Sequence, residues 1–316
     1  KKEFNDTRIK KTVIKDLDEL DDLSQKQCNR TEFNLSNTQE FLKRYMSINT
    51  PYNGILIFHG VGVGKTCAAV TIAEQFREKI GENKKKIYIL ANQTIHQQWK
   101  DTIINENKIL KAIEKNIELW PQCTGNSYAQ QLGDIRKLDK DRFRRLIDKT
   151  IRTFYTIMGY RQFANYITKL KKKVIAGQEE KHHERLQREI IKKTFSDTVL
   201  ILDEAHNIRT GEEISKLAPP RIQEVIKYSD NLKLVLLSAT PMYNGPREIV
   251  FLMNLLLEND NREPITESMI FNSDDEIKSE GKEILKQVST SYVSYLRGEN
   301  PLVFPNKIYP NNNIFT

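Results

Sequence analysis

The chain has 316 residues, of which 29% are charged and 38% apolar, with a mean hydropathy of −0.59. These values are typical of a globular protein that buries at least one large core. The longest apolar run, 249–257, is far shorter than the roughly 20 residues that cross a bilayer, and the first twenty residues are charged. We therefore expect no membrane span and no secretion.

Charge and cysteine content indicate the class of partner and the compartment. The formal net charge is +8, which favours a polyanionic partner, because Lys and Arg contacts to phosphates dominate nucleic-acid affinity. Cys28, Cys67 and Cys123 are odd in number and lack CxxC or His pairing. We therefore expect neither a disulfide framework nor a zinc site, and a reducing compartment.

From residue 31 onward, strand and helix patterns alternate, which predicts an α/β fold with a parallel sheet covered by helices. The segment before it, 1–30, has mixed charge and no sustained apolar periodicity, so we interpret it as an N-terminal extension. The predicted strands are 54–59, 86–91, 197–202 and 232–238. The predicted helices are 38–46, 65–79, 93–106, 214–228 and 246–258.

A long interruption of helical composition, at about 120–195, separates the second and third predicted strands. Within it, 169–193 holds nine Lys or Arg and four Glu, a net of +5. The pair Ala176-Gly177 divides this stretch and predicts a helical hairpin. A solvated hairpin and a nucleic-acid clamp both remain open, with the solvated hairpin favoured.

The strongest local pattern is GILIFHGVGVGKT at 54–66, an apolar strand followed by a glycine-rich turn and a helix-forming run. Such a turn points backbone N–H groups at phosphate oxygens, and the helix N-terminus adds its dipole. Lys65 is expected to reach the β- and γ-phosphates, and Thr66 to place its hydroxyl on Mg²⁺. The GxxxxGK[ST] form has Gly where this chain has His59. The predicted nucleotide-binding residues are His59, Gly60, Val61, Gly62, Val63, Gly64, Lys65 and Thr66.

Two further strands end in polar residues that suit phosphoryl transfer. In TVLILDEAHNIR at 198–209, Asp203 is the predicted magnesium ligand, and Glu204 is the predicted base that orients the attacking water. In LVLLSATPMYN at 234–244, Ser238 and Thr240 stand where small hydroxyls can bond the acidic motif and transmit the state of the nucleotide. Lys65, Asp203 and Glu204 are thus the predicted catalytic residues.

These three elements resemble the ordered motifs I, II and III of superfamily 2 helicases. Together with CTGNSY (123–128), FYTIMGYRQFAN (154–165) and YVSYLRGENPLVFPNKIYP (292–310), the chain resembles the DEAH-type helicases of large nucleocytoplasmic DNA viruses. That group includes the poxvirus early transcription factor small subunit and nucleoside triphosphate phosphohydrolase I. The resemblance covers roughly 33–310.

The resemblance implies a RecA-like P-loop NTPase fold and an ATP·Mg²⁺-dependent hydrolase. It implies an ATP-binding domain at 31–260 with the helical insertion, then a linker at 261–316 toward a second RecA-like domain that this chain lacks. Because that second domain bears an arginine worth roughly 10³ to 10⁵ in rate, we expect this piece to bind ATP and hydrolyse it poorly.

The resemblance also implies roles for further side chains. Gln39 would read the adenine, with a solvated helical glutamine as the alternative. His206 would couple the nucleotide to the polymer, and Trp99 is more often a core residue than a base-stacking one. Nucleic-acid backbone would pass over three residues: Asn92, Gln93 and Arg161.

Function follows from the resemblance as an expectation with one alternative. We expect a nucleic-acid-dependent ATPase, a helicase or translocase acting on DNA or RNA in viral transcription, in the virion and the host cytoplasm. Viral RNA polymerase or transcription factor subunits are the expected partners. The alternative is a transcription factor subunit that grips DNA under nucleotide control without separating strands.

Overall fold

The computed structural model describes residues 16–28, 33–118, 120–210, 217–242 and 245–296. Its centre is a six-stranded, all-parallel sheet in the order β3-β2-β4-β5-β1-β6. The predicted α/β class is therefore confirmed. The strands are β1 (Gly54–His59), β2 (Ile87–Leu90), β3 (Tyr155–Met158), β4 (Val199–Leu202), β5 (Lys233–Ser238) and β6 (Val293–Leu296).

Helices cover both faces of this sheet, and several begin at a side-chain cap. Ser36 and Gln39 form a reciprocal capping box at the start of α2, and Asp139 caps α8. The helices are α1 (Leu17–Cys28), α2 (Asn37–Tyr45), α3 (Lys65–Glu74), α4 (Arg77–Glu82), α5 (His96–Ile103), α6 (Glu106–Glu114), α7 (Ala129–Leu132), α8 (Lys140–Phe154), α9 (Tyr160–Ile175), α10 (His183–Phe195), α11 (Asn207–Thr210), α12 (Ala218–Tyr228), α13 (Glu248–Asn259), α14 (Glu267–Ile270) and α15 (Ser279–Thr290).

Strand residues alternate between two apolar cores, as the period of two in a strand requires. On β1, Ile55 and Ile57 face a core shared with α3, α5, α6 and α8, whereas Leu56 faces a core shared with α9, α10, α12 and α13. The central strands β2 and β4 are buried along their whole length. Burial on both faces explains why these strands read as continuous apolar runs in the sequence.

The sequence prediction missed the two edge strands, β3 and β6. Strand β3 lies inside 120–195, the predicted interruption of helical composition, and β6 lies in the segment predicted to be a linker. Of the four residues in β3 only the first is buried, and β6 has no buried residue. An edge strand has one neighbour and less cover, so its sequence lacks the apolar run that marked the other four.

Helix boundaries differ from the prediction in two places. The run 65–79 divides into α3 and α4, and 93–106 divides into a short 3₁₀ turn followed by α5 and the start of α6. The first residues of the predicted helix 214–228 and the C-terminal 297–316 lie outside the described residues. The hairpin predicted around Ala176-Gly177 is confirmed as α9 packed on α10.

The described part of the expected linker, 261–296, folds onto the sheet. The hydroxyl of Tyr292 donates to Asp260 at 2.6 Å, and the amide of Leu56 donates to the carbonyl of Tyr292 at 2.7 Å. Among the described residues, no helix has both the length and the apolar character needed to cross a bilayer.

Replacing Gly281 with Ala tests how α15 packs on α14 within this segment. A Cβ on Gly281 would stand 2.3 Å from the carbonyl oxygen of Ile270 and 2.6 Å from its Cα, closer than real contacts allow. Although Ala is the better helix former, we expect Gly281→Ala to lower the free energy of unfolding by about 1–3 kcal/mol. Urea unfolding measures this. The control is Gly245→Ala, whose Cβ meets nothing within 4 Å; equal stability of the two variants would contradict the packing.

Candidate nucleotide-binding and hydrolysis site

The phosphate-binding loop runs from the end of β1 to the start of α3. Gly62 and Gly64 have φ of 80° and 83°, a left-handed conformation that glycine adopts without steric cost. The Lys65 ammonium donates to the carbonyl oxygens of His59 at 3.0 Å and Gly60 at 2.9 Å. The lysine thus folds back over the loop, next to the place where a phosphate would bind.

Asp203 follows β4 and is held by three neighbours. One carboxylate oxygen accepts from the indole N–H of Trp99 at 2.8 Å, and the other accepts from the backbone N–H of Glu204 at 3.0 Å. The Tyr160 hydroxyl donates to the Asp203 carbonyl at 2.7 Å. Burial raises the pKa of Asp203, and the Trp99 hydrogen bond opposes that rise by favouring the charged form.

Glu204, His206 and Ser238 form a chain of contacts across the ends of β4 and β5. His206 Nδ1 lies 3.4 Å from Glu204 Oε2 and 3.0 Å from Ser238 Oγ. Ser238 Oγ also accepts from the backbone N–H of Thr240 at 3.1 Å. Ser238, the last residue of β5, thus hydrogen-bonds His206 of the acidic motif. The part of Ser238 and Thr240 in coupling stays a prediction.

A single cleft of about 630 Å³ brings the catalytic candidates together. Lys65, Thr66, Asp203 and Glu204 all line it. Burial lowers the pKa of Lys65, while the two carboxylates act in the opposite direction and favour its charged form. The cleft therefore combines a cation for phosphate oxygens with a hydroxyl and carboxylates suited to a hard metal ion.

Gln39 lies against the loop rather than in open solvent. Its amide N–H donates to the carbonyl of Gly64 at 3.1 Å, and its amide oxygen accepts from the N–H of Ser36 at 2.8 Å. A Cβ on Gly64 would come within 2.5 Å of the Gln39 nitrogen. Gln39 thus stabilises the phosphate-binding loop by its bond to Gly64. Its contact with adenine stays a prediction.

The predicted nucleic-acid residues follow β2 and β3, which are neighbours in the sheet. Asn92, Gln93 and Arg161 are exposed at the carboxyl ends of these strands. The Asn92 side chain accepts from the N–H of Thr94 at 3.2 Å and so caps the short turn that follows β2. The three residues share one edge with the nucleotide cleft, and their contact with a polymer stays a prediction.

Two features of the site were not foreseen. Trp99 is 1% exposed, so it is a core residue, the role that the sequence favoured. Its bond to Asp203 has no sequence signature.

Cys67 and Cys123 form a disulfide with a Cα–Cα distance of 5.6 Å. The expectation of no disulfide is therefore wrong for this pair: 56 residues separate the two, and only the fold brings them together. The only sequence signal for the pairing was that each cysteine lies in a recognised segment: Cys67 follows Thr66, and Cys123 begins CTGNSY.

Comparison with known proteins identifies the family of the chain. The family model described as "Type III restriction enzyme, res subunit" matches residues 21–243. The chain belongs to this family. Its sequence is 33% identical over 314 residues to "Putative ATP-dependent RNA helicase" of Acanthamoeba polyphaga mimivirus, covering 94% of this chain and 25% of that protein.

Two more distant likenesses extend the comparison. "Early transcription factor large subunit homolog" of African swine fever virus is 23% identical, over 87% of this chain and 28% of that protein. The crystal structure of DUF1998 helicase MrfA bound to DNA and AMPPNP covers 80% of this chain and 29% of that chain, at 15% identity and a TM-score of 0.36. The chain thus spans about a quarter of the length of these proteins.

Trp99→Phe tests the support of Asp203. The substitution keeps an aromatic ring but removes the N–H donor, so we expect the pKa of Asp203 to rise further. The acid limb of Mg²⁺-dependent ATP binding should then move to higher pH, measured by titrating affinity from pH 5 to 8. Trp120→Phe is the control, because Trp120 is also buried and makes no bond to Asp203. An equal shift in both variants would show that the indole N–H has no such role.

Reduction tests the Cys67–Cys123 bond. Closing a loop across 56 residues removes denatured-state entropy equivalent to about 4 kcal/mol in the chain-entropy model. We expect a reducing agent to lower the free energy of unfolding by roughly 2–4 kcal/mol, measured by urea titration. Cys67→Ser should remove this dependence, and Cys28→Ser should keep it. If the reductant still lowered the stability of Cys67→Ser, the effect would not come from the Cys67–Cys123 bond.

Proposed function

We propose that this chain forms the ATP-binding, RecA-like half of a nucleic-acid-dependent ATPase of a large DNA virus, a helicase or translocase acting in viral transcription. The observation that carries the proposal is the single cleft in which Lys65, Thr66, Asp203 and Glu204 meet. The family match and the names of the viral relatives support the motor activity. The virion and the host cytoplasm are its proposed locations.

The side chains of the cleft divide the reaction between them. Lys65 would keep its bond to the carbonyl of His59 and turn its other N–H donors to the β- and γ-phosphate oxygens, where it would offset the charge that develops. Glu204 would accept a hydrogen bond from the attacking water and orient it in line with the γ-phosphorus. Both actions depend on placement rather than on covalent chemistry by the protein.

The donors present suit Mg²⁺. Asp203 keeps lone pairs on both carboxylate oxygens beyond its bonds to Trp99 and Glu204, and the Thr66 hydroxyl lines the same cleft. Mg²⁺ is commonly held by one or two carboxylates together with substrate phosphates and water, so this small donor set is sufficient. Bound there, the ion would neutralise phosphate charge.

The polymer would lie over Asn92, Gln93 and Arg161. These residues follow β2 and β3, and β2 is the direct neighbour of the strand that delivers Asp203. The +8 charge agrees with a polyanionic track, DNA or RNA. The contact from His206 to Ser238 offers a path between the cleft and the chain after β5 that a polymer-bound state could use.

A second candidate is a transcription factor subunit that grips DNA under nucleotide control without separating strands. The name of the African swine fever virus relative supports it. Viral RNA polymerase or other transcription factor subunits would be its partners. Strand displacement that requires hydrolysis distinguishes the two candidates, since only the motor would show it.

The decisive experiment compares ATP hydrolysis by the full-length protein, wild type against Lys65→Ala and Glu204→Gln, with and without single- and double-stranded DNA and RNA. One polymer should stimulate the wild type. Lys65→Ala removes the cation that contacts the phosphates and should weaken ATP binding. Glu204→Gln should bind ATP normally, but its turnover should fall by at least about a hundredfold, because the attacking water is no longer oriented.

The control is Glu280→Ala, a change on the exposed surface of α15, which contributes no residue to the cleft. Normal ATP binding without hydrolysis under any condition would favour the nucleotide-controlled subunit. Unchanged turnover in Glu204→Gln would reject the assignment of the catalytic base.

A further inference from the structure

His59 occupies the loop position where the GxxxxGK[ST] form has glycine, and its side chain has a specific place. It is 2% exposed, and its Nε2 shares a 2.9 Å hydrogen bond with Ser294 Oγ. Its backbone is not in the left-handed region, so the turn does not need glycine at this position. The imidazole therefore replaces nothing that the loop requires, and it adds a link to another strand.

That link reaches β6, the edge strand beside β1. In the parallel register, Ile57 pairs with Ser294 and His59 pairs with Leu296. Residues two apart on a strand point to the same face, so His59 and Ser294 meet on one side of the sheet. The bond thus joins the last residue of β1 to the interior of β6.

The same residue also holds the phosphate-binding lysine. The carbonyl of His59 accepts from the Lys65 ammonium at 3.0 Å, together with the carbonyl of Gly60 at 2.9 Å. A continuous path therefore runs from the Ser294 hydroxyl through the His59 side chain and backbone to Lys65. Each step is a hydrogen bond or a covalent connection within one residue.

The imidazole in this path is neutral. Burial, followed by the nearby positive charge of Lys65, lowers the pKa of His59 to about 4. A neutral imidazole has one donor and one acceptor nitrogen and adds no charge beside the lysine. The role that remains for His59 is geometric.

We propose that His59 is a positioning residue, held by Ser294, through which strand β6 sets the place of Lys65 in the nucleotide site. The inference rests on the proposed function, because it concerns the lysine assigned to the β- and γ-phosphates. It goes beyond that function in making ATP affinity depend on β6, a strand that contributes no residue to the cleft of Lys65 and Asp203.

The opposite face of β6 supplies a matched control. There, the ring of Tyr295 lies 4.9 Å from the ring of Phe58, centroid to centroid, and Tyr295 is 57% exposed. Tyr295→Leu removes this ring contact and leaves the His59–Ser294 bond in place. Any effect of merely loosening β6 should therefore appear in Tyr295→Leu as well.

The test measures the Kd of a fluorescent ATP analogue in the 316-residue chain. One neutral hydrogen bond is worth about a two- to tenfold change in an equilibrium constant. We expect Ser294→Ala and His59→Gly each to raise Kd by roughly that factor, with Ser294→Thr close to wild type because the hydroxyl is retained. Tyr295→Leu should leave Kd unchanged, and all variants should first be matched for folding by circular dichroism.

Each outcome decides between the inference and its rivals. Wild-type affinity in Ser294→Ala would overturn the inference, as would equal losses in Ser294→Ala and Tyr295→Leu. Failure of Ser294→Thr to restore affinity would also overturn it. The proposed function fails separately: in that case Lys65→Ala would bind the analogue as tightly as wild type, whatever residue 294 is.

Discussion

The parallel register of β4, β5 and β1 is the constraint on which the site depends. Because these three strands are neighbours and all point the same way, their carboxyl ends deliver Asp203, Ser238 and the phosphate loop to one edge of the sheet. Residues more than 130 positions apart thereby meet in one cleft, as Lys65 and Glu204 do. Strand burial on both faces fixes this register, since a slip by one residue would turn each apolar side chain toward the wrong core.

Placing a carboxylate at a buried strand end carries an electrostatic cost. Asp203 is 8% exposed, and burial raises its pKa, which opposes the ionised form that a metal ligand needs. The Trp99 indole and the Glu204 amide offset part of this cost by donating to the charged form, and Lys65 adds a favourable charge. A core tryptophan is thus also part of the electrostatics of the nucleotide site.

The sequence predicted the parts of the site that are local and the strands that are buried. Motifs I, II and III each lie within 13 residues or fewer, so their order along the chain could be read directly. The edge strands β3 and β6 bury too little to leave an apolar run. The Trp99–Asp203 bond, the Cys67–Cys123 pair and the His59–Ser294 bond join residues that only the tertiary fold brings together. Such contacts depend on packing geometry, which residue spacing does not encode.

Hydrogen bonds and a cation–π contact, in addition to the Cys67–Cys123 disulfide, connect the segment 120–128 to helix α3 and to Arg77, which follows it. The Tyr128 hydroxyl donates at 2.6 Å to the Glu74 carboxylate at the end of α3, and the Tyr155 hydroxyl donates to the same oxygen. Arg77 lies over the Tyr128 ring at 4.6 Å and close to Glu74. Burial raises the pKa of Glu74, and these donors oppose that rise. Because α3 begins at Lys65, this network and the Cys67–Cys123 bond hold both ends of the helix that follows the phosphate loop.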